Sequence, residues 1–148
     1  MLLEHGGDPN ARGEKLGETL LEKIPGWASP DFLRYLFRHG AVLTHNSEIL
    51  QQDIFNDVIL DLEKLKAFVE DGHADVHQKS SNGDNLLLAS ICWGMDYPSQ
   101  RFAIWEYLIS KGASVTEKDS HGHTLLRTAI EWQFTPSAIK RLRELGAQ

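Results

Sequence analysis

The stretch "SKGASVTEKDSHGHTLL", residues 110–126, decides how the rest of the chain is read. It is a helix end, a glycine stop, a short extended piece, a turn and a new helix start. Gly112 follows the amphipathic helical pattern "WEYLIS", and a glycine there can take the left-handed backbone that ends a helix. Gly122 marks the turn. Thr124 then offers a hydroxyl to cap the first free N–H groups of the next helix.

This punctuation recurs. Glycines that close a leucine-rich helical pattern are Gly6 in "LLEHGGDPN", Gly40 in "LFRHGAVLT", Gly72 in "FVEDGHADV", Gly112 and Gly146 in "LRELGAQ", at steps of 34, 32, 40 and 34. A second set opens the units: Gly17 in "LGETLL", Gly83 in "NGDNLL" and Gly122 in "HGHTLL". From Gly17 to Gly83 the step is 66, twice 33, and from Gly83 to Gly122 it is 39. Thr19, Asn85 and Thr124 stand where each following helix needs a cap, and Thr19 with Glu22 has capping-box spacing. A second helix follows in each unit. Two of these carry proline at the first helical position, "SPDFLRYLFRHG" and "TPSAIKRLRELG", where a missing N–H is harmless. Their apolar residues fall at helical spacing: Phe32, Leu33, Leu36 and Phe37; Leu62, Leu65, Phe68 and Val69; Trp105, Leu108 and Ile109; Ile139, Leu142 and Leu145.

The pattern resembles the ankyrin repeat, a 33-residue turn plus two helices. "LLEHGGDPNAR" and "LISKGASVTEKDSHGHTLL" carry the resemblance most strongly, and it covers essentially the whole chain. "TLLE", "NLLL" and "TLLR" stand in place of the family's T-P-L-H, without its proline and histidine. The resemblance implies an all-α, ankyrin-repeat solenoid of helix-turn-helix units forming one domain over 1–148: a leading fragment 1–11 and units 12–45, 46–78, 79–118 and 119–148. The unit 46–78 lacks the opening glycine. The unit 79–118 is long, and its extra residues near "MDYPSQR" (95–101) are expected in an inter-helix loop. Lys140, Arg141, Arg143 and Glu144 give the last helix the polar outer face of a capping repeat. "MLLEHGG" is only the end of a second helix. The chain is therefore expected to be the C-terminal part of something longer, rather than to open on a frayed half-repeat.

Composition narrows the function. The 148 residues are 41% hydrophobic and 24% charged, as in an ordinary domain with a real core. Cys92 is the single cysteine, so no internal disulfide can form, which fits a reducing compartment and a cytoplasmic expectation. No apolar run approaches the length that crosses a bilayer, and the opening "MLLEHGGDPN" lacks a basic region or long apolar stretch, so neither a membrane span nor a leader is expected. Net charge is −6, against nucleic-acid binding. Cys92 ends an apolar helical run, which favours an inert thiol. No phosphate loop, H-E-x-x-H or nucleophile elbow occurs, and neither an enzyme nor a cofactor is expected.

Three groups stand out. Trp27, Trp93 and Trp132 share one register, each at the tenth position after the opening glycine of its unit (17 to 27, 83 to 93, 122 to 132). Packing inside each unit is the plainer reading; an exposed aromatic stripe for a partner is the functional one. Trp105, on an outer helix with Leu108 and Ile109, reads as core. The second group is acidic. Residues 46–78 carry 8 acids and 2 bases, an excess equal to the whole net charge, and Asp53, Asp57 and Asp61 recur at i, i+4, i+8 on what reads as one helix face. That face is either ordinary solvated surface or a docking site for a basic partner. Third, His45, His77, His121 and His123 gather in the expected turns near Glu117 and Asp119. Their spacing is no known ligand motif, so exposed turn residues are expected rather than a metal site, with His121 and His123 as candidate partner contacts. The resemblance implies a protein-binding module working through a concave face and turn edge. An acidic immunity or inhibitor protein against a basic toxin or nuclease, and the C-terminal block of a larger scaffold or enzyme, remain open. So does the oligomeric state.

Overall fold

Helices begin at prolines and capping residues, and most of those whose ends are described stop at left-handed residues, α1 being an exception at Ile24 (φ −105°). The computed structural model describes residues 5–14, 17–24, 26–44, 61–79, 83–92, 98–119 and 121–148. They fall in two units, Met1–Ala74 and Asp75–Gln148. The first holds α1 (Leu20–Lys23), α2 (Pro30–Arg38) and α3 (Leu62–Lys66), which runs on into a wide π-helical turn (Ala67–Asp71). The second holds α4 (Leu86–Cys92), α5 (Pro98–Ser110), α6 (Leu125–Glu131) and α7 (Pro136–Glu144). Isolated antiparallel bridges, Lys79–Asn85 and Lys118–Thr124, close the hairpin turns before α4 and α6.

The starts follow local chemistry. Ser29 Oγ accepts the Phe32 N–H at 3.2 Å and Thr135 Oγ1 that of Ala138 at 3.4 Å, each one residue before a helix-opening proline. Asn85 Oδ1 accepts from Leu88 N–H at 2.8 Å and Thr124 Oγ1 from Arg127 N–H at 3.3 Å. At α1, Glu22 Oε2 reaches back to the Thr19 N–H at 2.7 Å. The "MDYPSQR" expectation is corrected in part. Helix α5 starts at Pro98, so residues 98–101 are helical rather than loop, and a third proline occupies the first helical position.

The ends of α2, α5 and α7 share one motif. Gly40, Gly112 and Gly146 have φ of +89°, +99° and +95°. The alanine after each donates back across the last turn: Ala41 to Leu36 O at 3.0 Å, Ala113 to Leu108 O at 3.0 Å and Ala147 to Leu142 O at 2.9 Å. Gly72 departs from the expected left-handed stop. Its φ is −86°, and His73 takes the positive φ, +55°. The π turn explains the difference. Gly72 N–H bonds Ala67 O at 3.0 Å and Ala74 N–H bonds Phe68 O at 2.9 Å, a ring one residue longer than in the other three. The sequence shows the same insertion, "GHA" against "GA". Gly72 is glycine for want of space: a Cβ would lie 2.6 Å from Phe37 Cζ and 2.7 Å from Phe68 O.

Each unit has its own core. In the first, α2 packs on α3 and the π turn, burying Leu33, Leu36 and Phe37 against Leu65 and Phe68, with the two phenylalanine rings edge-to-face at 5.4 Å. Phe32, expected in that line, stays 37% exposed. In the second, α4 packs on α5 and α6, and α7 on α5 and α6. Trp105 is fully buried there, and its indole N–H donates to Ser90 Oγ at 3.1 Å. Ser90 in turn donates to Leu87 O at 2.7 Å, so the polar atoms of this buried pair are satisfied.

Candidate functional site

The tryptophans divide. Trp105 is core, as its outer-helix position implies. Trp27 and Trp132 are 74% and 54% exposed, so inside packing is set aside for both. Trp93 lies outside the described residues. Trp132 is the cap residue of α6, and its N–H donates to Thr128 O at 3.0 Å. Ile130, two residues earlier, is 51% exposed. Arg127 and Glu131 on the same helix pair at 2.7 Å, and that bond holds the Glu131 carboxyl below its usual range. Trp27 lies beyond the end of α1, in the connection to α2. There Ala28 N–H bonds Ile24 O at 2.9 Å, and the Lys64 ammonium donates to Gly26 O at 2.9 Å. The lysine comes from α3, far along the chain, and sequence reading missed it because the contact is non-local.

The acidic group is rearranged. Asp61 is not on a helix face. Its backbone is extended (φ −125°, ψ 109°) and its carboxylate caps α3, accepting from Glu63 N–H at 2.9 Å and Lys64 N–H at 3.2 Å. No helix passes through Asp61, so the single face running from Asp53 through Asp57 to Asp61 is corrected at that residue. Asp53 and Asp57 lie outside the described residues. Two further acids of 46–78 are held by bases of the preceding helix. Arg34 bridges Glu63 at 2.8 Å and Asp71 at 3.7 Å, and Arg38 lies 3.6 Å from Asp71. Lys66 adds a 2.7 Å contact to Glu63, and these bonds, with that from Lys66 foremost, lower the Glu63 carboxyl.

His121 and His123 form the tip of the hairpin before α6, arranged around Asp119. Asp119 Oδ1 accepts both of their backbone N–H groups, at 2.8 and 2.7 Å. Its other oxygen lies 4.0 and 3.3 Å from their Nδ1 atoms, and the two rings stack at 5.9 Å. Desolvation pushes Asp119 upward, but the N–H groups of His123 and His121 and the imidazoles outweigh it and hold the carboxyl low. Asp84, in the turn before α4, goes the other way: burial and then the Asp119 charge raise it. His77 is exposed, its N–H bonded to Asp75 Oδ1 at 2.8 Å. His45 lies outside the described residues. Among those described, no group of three or more His, Cys, Asp or Glu side chains is placed to hold a metal ion, and no helix is long and apolar enough to cross a membrane.

The described architecture is all-α, with hairpin turns before α4 and α6 and left-handed residues after α2, the π turn, α5, α6 and α7. It is similar to the crystal structure of EF0377, an ankyrin repeat protein, with a TM-score of 0.70 over 99% of this chain and 72% of that one. Identity is 15%, so the likeness defines an ankyrin-type fold and carries nothing further. No protein-family model matches the chain, and no curated protein matches it in sequence.

Proposed function

We propose that this chain is a non-enzymatic protein-interaction module whose contacts lie at hairpin turns and at the ends of first helices. The observation that carries this is the exposure of Trp27 and Trp132 at one sequence register. A tryptophan left in water contributes nothing to the core, yet it is the residue type most favoured at the centre of protein interfaces. His121 and His123 sit at a turn tip in the same unit as Trp132. The turns of an ankyrin-type fold can vary without disturbing its packed helices, which suits them to recognition.

The alternative is an inhibitor neutralising a basic effector through its acids. It receives less support. Asp61 serves as a cap, and Glu63 and Asp71 are paired with Arg34, so three of the eight acids of 46–78 already have a role within the fold.

The test is capture from the native host with mass spectrometry, using the intact chain beside Trp27→Ala and Trp132→Ala. At least one variant should keep its melting midpoint and bind the captured protein about 30-fold more weakly, the equivalent of roughly 2 kcal/mol. Equal capture by all three chains would sink the tryptophan reading.

A further inference from the structure

Helix α6 closes with the motif of α2, α5 and α7, but without glycine. Phe134 N–H donates to Ala129 O at 3.0 Å, Gln133 N–H to Ile130 O at 3.0 Å, and Gln133 takes φ +55°. Glycine holds that position in the other three helices; a side chain there is strained, because its Cβ crowds the following carbonyl. The strained residue lies directly after exposed Trp132. The residue after it is a plug. The Phe134 ring stacks on the fully buried Trp105 at 6.2 Å and 9°, and the buried Arg101 guanidinium lies 4.2 Å from the Phe134 ring centre. Backbone at Trp132 is thus fixed from both sides, by its bond to Thr128 and by the plug two residues on.

We propose that Phe134 is a positioning residue for Trp132. By seating between Trp105 and Arg101 it forces the left-handed turn at Gln133 and presents the exposed indole in one backbone geometry. A partner then meets an anchor already ordered, and less conformational freedom is lost on association. The proposal rests on reading Trp132 as a partner contact, and its test is kept separate from that reading.

The measurement is ¹⁵N relaxation of the Trp132 amide and of the indole N–H groups in the full chain, with signals assigned by single Trp→Phe replacements. In the wild type, Trp132 should show an order parameter near ~0.85 and Trp27 a lower one. Phe134→Leu keeps an apolar plug but removes the stacking. It should bring Trp132 below ~0.6 while the buried Trp105 indole stays rigid. Gln133→Val, which disfavours the left-handed turn without touching the plug, should do the same; Gln133→Gly should leave Trp132 ordered. A wild-type Trp132 as mobile as Trp27 overturns the proposal. So does an unchanged Trp132 in both Phe134→Leu and Gln133→Val. Trp132→Ala decides the contact reading on its own, by partner binding, whatever the relaxation shows.

Discussion

Trp27 and Trp132 share a register and differ in support. Each stands exposed at the same distance along the chain from the opening glycine of its unit. Helix α6 has seven residues, closes on Gln133 and is locked by an aromatic plug. Helix α1 has four residues, and the connection carrying Trp27 is tied by Lys64, a long side chain donating to the Gly26 carbonyl. Equal place in a repeat therefore fixes where a side chain lies, while the residues just beyond it fix how firmly it is held.

The largest expected effect separates the exposed tryptophans from the buried one. Trp105→Ala removes a stacked, hydrogen-bonded core side chain and should cost about 3–5 kcal/mol in denaturant titration. Trp27→Ala and Trp132→Ala should each cost less than about 1 kcal/mol, as exposed positions do. A core-sized loss at either would make that residue structural and remove it from the comparison. A smaller effect concerns the turn that distinguishes α6. Gln133→Gly should stabilise the chain by about 1 kcal/mol, since glycine takes the left-handed backbone without penalty; a loss of stability would mean that the glutamine side chain has a favourable role in that turn.

The smallest effect is a matter of pH. Glu22 of α1 is held below its ordinary value of 4.5, first by the Thr19 backbone N–H and then by the Thr44 hydroxyl at 2.8 Å. A carboxyl lowered by folding stabilises the protein above its unfolded value and loses that contribution as pH falls through the folded one. Stability should therefore drop as pH falls below about 4.5, and Glu22→Gln should flatten that part of the profile. Identical profiles for variant and wild type would mean that Glu22 does not hold α1.

Much of the fold was legible because its signals are local. Proline at a helix start, a cap one turn before an apolar run and glycine at a helix end each act within a few residues. Asp61 shows the limit. Spacing of i, i+4, i+8 suits a helix face, but whether a residue lies within a helix or caps one depends on where the first free N–H groups fall. The pairing of acids within 46–78 was hidden for a different reason. Arg34 stands in the preceding unit, well before Glu63 in the chain, and no periodicity within one unit reveals a pairing between two. The same holds for the exposure of Trp132, which packing decides, whereas the burial of Trp105 was legible from its helical spacing with Leu108 and Ile109.

The π turn has a consequence for phase. Each residue of an α-helix rotates the chain by about 100°, so one extra residue inside it would swing everything downstream onto a different face. Between Ala67 and Asp71 the backbone widens instead, and the added residue is absorbed before the helix ends. Counted between left-handed residues, Gly40 to His73 is 33, although the glycines themselves stand 32 apart. Sequence length and angular position have come uncoupled at this one point: the insertion lengthens the chain without turning it.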